Sequence, residues 1–170
     1  LYKSVRWDDK GEPKDLATAS DEKPALVLSG GDIIHRSLRP VTEGRYEEEF
    51  RRIEAPVWTV LGNHETYAGL PQAEQFFQAA GIRVLKDSVA HFKGVDVIGR
   101  KDRSARSRAA LQDLADGLEG FTLLLDHQPN HLEEAEQAGI DFQFSGHTHR
   151  GQVWPVSWAT DLMFEKSWGH

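Results

Sequence analysis

Two histidines two residues apart, His147 and His149, stand in a run bracketed by glycine: Ser145-Gly146-His147-Thr148-His149, followed by Arg150-Gly151-Gln152. In an extended segment alternate side chains point the same way, so these imidazoles can address one centre or two adjacent centres. Imidazole is the commonest nitrogen ligand of transition metals, and flanking glycines leave room for an ion and for tight backbone turns. Taken alone, His-x-His reads equally as two solvated loop histidines. Three upstream residues change that balance. Asp32, Asn63 and His127 also stand just past short apolar runs, and glycine adjoins Asp32 and Asn63 as it adjoins His147. A set of carboxylate, amide and imidazole groups offers oxygen and nitrogen only, which suits Mn, Fe, Zn or a similar divalent ion. With no cysteine in the chain, thiolate sites and disulfides are excluded.

Each of these residues must be placed by an element of structure. Residues 25–29 (Ala-Leu-Val-Leu-Ser) form an apolar run of strand length, fit for a sheet buried on both faces, and end at Gly30-Gly31-Asp32. Residues 56–61 read as a second such strand, running straight into Gly62-Asn63-His64-Glu65. Residues 121–125 end at Asp126-His127, and residues 140–144 end at the His-x-His run. In α/β sheets, loops converge at the carboxyl ends of strands, and sites lie there. Four strands ending in potential ligands therefore predict one shared centre.

Between them, residues 42–53 are charged, with Tyr46, Phe50 and Ile53 as apolar punctuation, which fits a surface helix. Residues 71–80 predict a helix stopped by Gly81. Residues 82–85, 89–92 and 95–98 predict strands. Ser104 is placed to cap a helix carrying Ala110, Leu111 and Leu114 and closed by Gly117. Asn130 with Glu133 three residues on resembles a capping box for a helix that Gly139 ends. Helices and strands alternate at both ends around a run of strands in the middle. That order predicts an α/β sandwich of sheets with helices outside.

The 170 residues suit one domain. A hydrophobic content of 39% describes a globular chain, and no apolar run approaches the roughly 20 residues that span a bilayer. The formal charge of −7 argues against nucleic acid as a specific partner, which needs a basic surface.

The ordered set Gly31-Asp32, Gly62-Asn63-His64-Glu65, His127 and Gly146-His147-Thr148-His149 resembles the calcineurin-like metallophosphoesterases, over about residues 25–152. The Gly-His-Thr-His-x-Gly-Gln ending is similar to the bacterial phosphodiesterase-like branch. The resemblance implies a four-layer αββα sandwich of two mixed sheets with helices outside, around a centre of two divalent metal ions. It implies that Asp32 bridges the metals, that Asn63, His127 and His147 complete one, and that His149 serves the other. Asp32 thereby joins His64 among the catalytic residues, with His64 beside the phosphate as proton donor or charge stabiliser. The implied reaction is hydrolysis of a phosphodiester or phosphomonoester by a metal-bridging hydroxide, on a phosphorylated small molecule or lipid.

One departure is large. The family's opening Asp-x-His is absent, and none occurs between Leu1 and Gly30. The expectation is one domain over residues 1–170, incomplete at both ends, with the Asp-x-His supplied N-terminal to Ala25 in the intact protein. A non-catalytic, single-metal scaffold of the same fold is the rival reading. Arg100, Arg103 and Arg150 are candidates to grip phosphate oxygens. His35, His91, His131 and His170 are expected to be surface or core residues. Trp154, Trp158, Met163, Phe164 and Trp168 make an apolar tail that packs in a core or touches lipid or a partner. A soluble domain of a membrane-anchored bacterial protein is one setting for it.

Overall fold

The computed structural model describes residues 23–34 and 46–147. They form seven strands and five helices in two sheets. One sheet has the order β1-β2-β3, from β1 (Val27–Ser29), β2 (Val57–Thr59) and β3 (Ile82–Val84). The other has the order β4-β5-β6-β7, from β4 (Ser88–Phe92), β5 (Val95–Gly99), β6 (Phe121–Leu125) and β7 (Phe142–Phe144). The helices are α1 (Tyr46–Arg51), α2 (Asn63–Ala68), α3 (Leu70–Ala80), α4 (Leu111–Ala115) and α5 (Leu132–Gln137).

Alternation along the strands sorts side chains into three cores. From β2 onward, Val57 and Leu61 pack outward with Tyr46, Phe50, Phe76 and Phe77 of α1 and α3. Trp58 and Val60 pack inward with Leu85, Val97 and Leu125, between the sheets. On the second sheet Val97 and Leu125 face inward, while Ile98 and Leu124 face outward onto Leu111 and Ala135 of α4 and α5. The layers are helix, sheet, sheet, helix, as the strand-and-helix order predicts. The sheets differ in one respect from the expected mixed pair. The three described strands of the first are all parallel, and the second is mixed because only β4 runs against its neighbour. The tight turn at Lys93 and Gly94 makes β4 and β5 a hairpin, whereas every other neighbouring pair is joined by a longer connection through a helix.

Register decides where the site can lie. Ser29, Thr59 and Val84 are level in one sheet, and Gly99, Leu125 and Phe144 are level in the other. The residues just past these points therefore share one end of the sandwich. Gly30 and Gly146 meet there: a Cβ on Gly30 would lie 3.1 Å from the Gly146 nitrogen.

The strand β2 leads directly into α2, which begins at Asn63 itself. Two local expectations change. Ser104 caps no helix: its N–H donates to Asp102 Oδ1, and Asp87 accepts N–H groups from both Lys101 and Ala109. Those bonds hold residues 101–109 as a loop, and α4 starts only at Leu111. Asn130 is not the cap of α5, because its carbonyl accepts from Arg103 and the cap position falls to His131 in a left-handed conformation. The stop of α3 at Gly81, with a φ of 73°, is as predicted.

Candidate metal centre

Asp32, Asn63, His127 and His147 come together at the shared end, each carried there by a different strand. Asn63 Oδ1 lies 2.9 Å from His147 Nδ1 and 3.1 Å from His127 Nε2. The two imidazole nitrogens are 3.2 Å apart. Asp32 Oδ2 lies 3.1 Å from His127 Nε2. One ligating atom each from Asp32, His127 and His147 lies within 4.8 Å of the others.

The backbone gives way to make this possible. Asp32 and His147 have φ of 55° and 65°, a left-handed conformation that non-glycine residues seldom adopt and that concentrates at functional positions. Gly62 is required by close approach, since a Cβ there would overlap Asp32 Oδ1 and lie 2.7 Å from His127 Cε1.

The proton positions explain what the cluster is built to accept. His127 Nδ1 lies 2.6 Å from the Gly30 carbonyl, which can only accept, so that nitrogen carries the hydrogen. In the neutral ring Nε2 then presents a lone pair inward. There it faces a carboxylate oxygen, an amide oxygen and a second imidazole nitrogen. Asp32 Oδ1 is engaged by the His64 N–H at 3.0 Å, while Oδ2 is buried and accepts no hydrogen bond. Lone pairs aimed at one another repel unless a proton or a cation sits among them. Without a cation the remedy is a proton. Burial alone would lower the His127 pKa, but the Asp32 carboxylate beside it, the Gly30 carbonyl and the Asp102 charge raise it. Burial would raise Asp32, but the His127 contact and charge, with the His64 N–H and charge, hold it below the ordinary carboxylate value. A divalent ion supplies more positive charge in the same place, and the oxygen and nitrogen donors fit Mn, Fe or Zn. The Gly30 carbonyl on the far nitrogen of His127 is the outer-shell contact that orients ligating imidazoles.

Glu65, which motif reading quoted without a task, is the scaffold of the site. It is fully buried, and its carboxylate accepts N–H groups from Gly62 (2.8 Å), Ile34 (2.9 Å) and Asp32 (3.1 Å). Burial and the nearby Asp32 charge raise its pKa against the pull of those N–H groups. One side chain thus ties the loop after β1 to the start of α2. The available signal was its spacing, three residues after the Gly62 that precedes the helix.

The two central arginines are occupied elsewhere. Arg100 is buried, donating to Glu134 at 2.8 Å and to the Ala109 carbonyl at 2.7 Å. Arg103 donates to the Asn130 carbonyl at 2.7 Å. Both brace the loop beside the site. Sequence reading missed Arg108 and Asp126, an ion pair in the same network between a partly buried arginine and a buried carboxylate. His91 and His131 are exposed and paired with Asp96 and Glu133, as surface histidines. His149, Arg150, His35, His170 and the aromatic tail lie outside the described residues.

Residues 6–151 match the family described as calcineurin-like phosphoesterase. The chain belongs to this family. An uncharacterized metallophosphoesterase of Helicobacter pylori strain J99 is 30% identical over 142 residues, which cover 78% of this chain and 38% of that protein. One from Aquifex aeolicus is 30% identical over 159 residues, covering 87% and 60%. The Bacillus subtilis metallophosphoesterase YkuE is 27% identical over 162 residues, covering 81% and 51%. The chain thus spans between about two-fifths and three-fifths of the length of these relatives. The crystal structure of a 5'-nucleotidase precursor from Thermus thermophilus shares the fold, with a TM-score of 0.52 at 18% identity over 76% of this chain and 34% of that one. A calcineurin-like phosphoesterase implies divalent metal, and the donor set at Asp32, Asn63, His127 and His147 fits it. No helix among the described residues is long and apolar enough to cross a membrane.

Proposed function

We propose that this chain forms the catalytic core of a phosphoesterase whose divalent metal is held by Asp32, Asn63, His127 and His147. The observation that carries the reading is the convergence of four inward-facing donors from four separate strands, with Asp32 Oδ2 buried and accepting no hydrogen bond. When bound, divalent ions neutralise phosphoryl oxygens and lower the pKa of a water for in-line attack. The chain's own residues do the rest. Glu65 accepts the Asp32 backbone N–H and the His64 N–H donates to Asp32 Oδ1, so that Oδ2 stays turned toward His127. His127, held by the Gly30 carbonyl, keeps its lone pair on the ion side.

His64 follows Asn63 on α2 and is half-buried beside the donor cluster. A proton delivered from its ring to the departing alkoxide assists cleavage by roughly 10²–10⁴-fold, the range for a positioned acid. The reading extends to two ions in the intact protein, with Asp32 shared and His149 on the second. The substrate is a phosphorylated small molecule or lipid.

Metal content and hydrolysis of a chromogenic phosphodiester, measured on the intact protein and on Asp32→Ala, test this. Metal-dependent turnover that disappears in the variant supports it. Metal binding without turnover of any phosphoester favours the scaffold reading.

A further inference from the structure

Helix α2 carries more than the two site residues at its start. Residues three and four apart share a helix face, so Tyr67 stands beside both His64 and Asn63, one turn along. Its ring meets the His64 ring edge to face, with centroids 6.0 Å apart and planes at 68°. The opposite side of the helix is anchored by Glu65, fully buried and holding three backbone N–H groups. Tyr67 is therefore held by a fixed scaffold, and still 73% of it is exposed. A lone exposed aromatic is ordinary on a protein surface. One held against a candidate proton donor is not arbitrarily placed.

Resting on the phosphoesterase reading, we propose that Tyr67 is a specificity-determining residue. It packs against the organic group of the ester, and selects substrates carrying a flat aromatic or otherwise apolar group next to the bridging oxygen. His64 serves the departing oxygen, so the residue one turn beyond His64 meets whatever that oxygen carries, while the donor cluster meets the phosphoryl group. A ring with one face open to water gains most by covering an apolar surface, and an aromatic pair adds to what the buried area gives.

The test separates the two ends of the ligand. Phenylphosphonate and methylphosphonate share the anionic head and differ in the organic group. Their binding to the intact, metal-loaded protein is measured by calorimetry for wild type, Tyr67→Ala and Tyr67→Phe. Wild type is expected to prefer the phenyl compound. Tyr67→Ala reduces that preference by about three- to tenfold and changes methylphosphonate affinity less than twofold, while Tyr67→Phe keeps it. Thermal midpoints stay unchanged, because so little of the side chain is buried. Equal weakening of both ligands, or an unaltered preference in Tyr67→Ala, overturns the proposal while leaving the phosphoesterase reading intact. A wild type that binds neither phosphonate and hydrolyses no phosphoester overturns both.

Discussion

Asp126 and His127 are consecutive, buried and at the end of the same strand, and they belong to clusters of opposite character. The alternation of β6 continues past Leu125, sending Asp126 outward toward Arg100 and Arg108 and His127 inward between the sheets. On the outer side acceptors face donors, several of them of opposite charge. Asp126 pairs with Arg108, Arg100 reaches Glu134 at 2.8 Å, and Asp102 accepts from Gln128 at 2.9 Å. On the inner side the groups are nearly all acceptors, and they face one another within 2.9–3.2 Å. A polar cluster in which carboxylates face guanidinium groups braces the fold. One that cannot balance without an added cation is a site. Burial and polarity are the same in both, so the sign of the partners separates function from support.

The largest expected effect comes from breaking the inner cluster alone. His127→Ala should reduce bound metal to a small fraction of the wild-type content and turnover to background, on protein whose circular dichroism is unchanged. Full metal retention would remove His127 from the ligand set. His64→Ala is the next largest, with hydrolysis falling about 10²–10⁴-fold while metal content is kept. Metal lost together with activity would turn His64 into a ligand.

Breaking the outer cluster should do the opposite. Asp126→Ala leaves the partly buried Arg108 without its carboxylate, a loss of up to about 3–5 kcal/mol, the range for breaking a fully buried pair. Urea unfolding should register that loss, and metal bound per folded molecule should stay the same. A fall in metal affinity as large as that of His127→Ala would merge the two clusters into one.

The smallest effect concerns the loop that carries the outer arginines. Asp87 accepts N–H groups from Lys101 and Ala109 at 3.0 and 2.9 Å and lies 3.3 Å from the Lys101 ammonium. Burial would raise its pKa, but those partners outweigh it and hold the carboxyl below its ordinary value of 3.8. The sign follows from which state takes the proton first. Below about pH 3.8 the unfolded chain binds a proton that the folded chain still refuses, so the stability Asp87 contributes is present above that pH and lost as pH falls toward the folded value. Denaturant unfolding at pH 5 and pH 3 should show a larger acid loss for wild type than for Asp87→Asn. Equal losses would remove Asp87 from the acid response.

Much of the site was legible before any coordinate, because its information is local. A ligand just past a buried strand is written in a few consecutive residues, as at Gly31-Asp32 or Gly62-Asn63, and strand burial follows from apolar runs. Helix α3 was legible too, from Pro71 to the Gly81 stop. What was not legible depends on partners distant in the chain. Arg100 and Arg103 look in sequence like free cations near the metal motifs; only the fold brings Glu134 and the Asn130 carbonyl to them, from 34 and 27 residues away. The failed caps at Ser104 and Asn130 have the same cause, since long-range hydrogen bonds to Asp87 and from Arg103 shape those two segments.

The sequence by itself determined the identity of the donors, their strand-end positions and the layered α/β order, because residue type and short-range periodicity carry those. The tertiary structure alone decided that four donors spread from residue 32 to residue 147 present their lone pairs to one point, that Glu65 holds the loop which makes this possible, and that Tyr67 stands beside His64. Those are statements about distance and direction, which arise only when parallel register brings strand ends level and two sheets close on a pair of glycines.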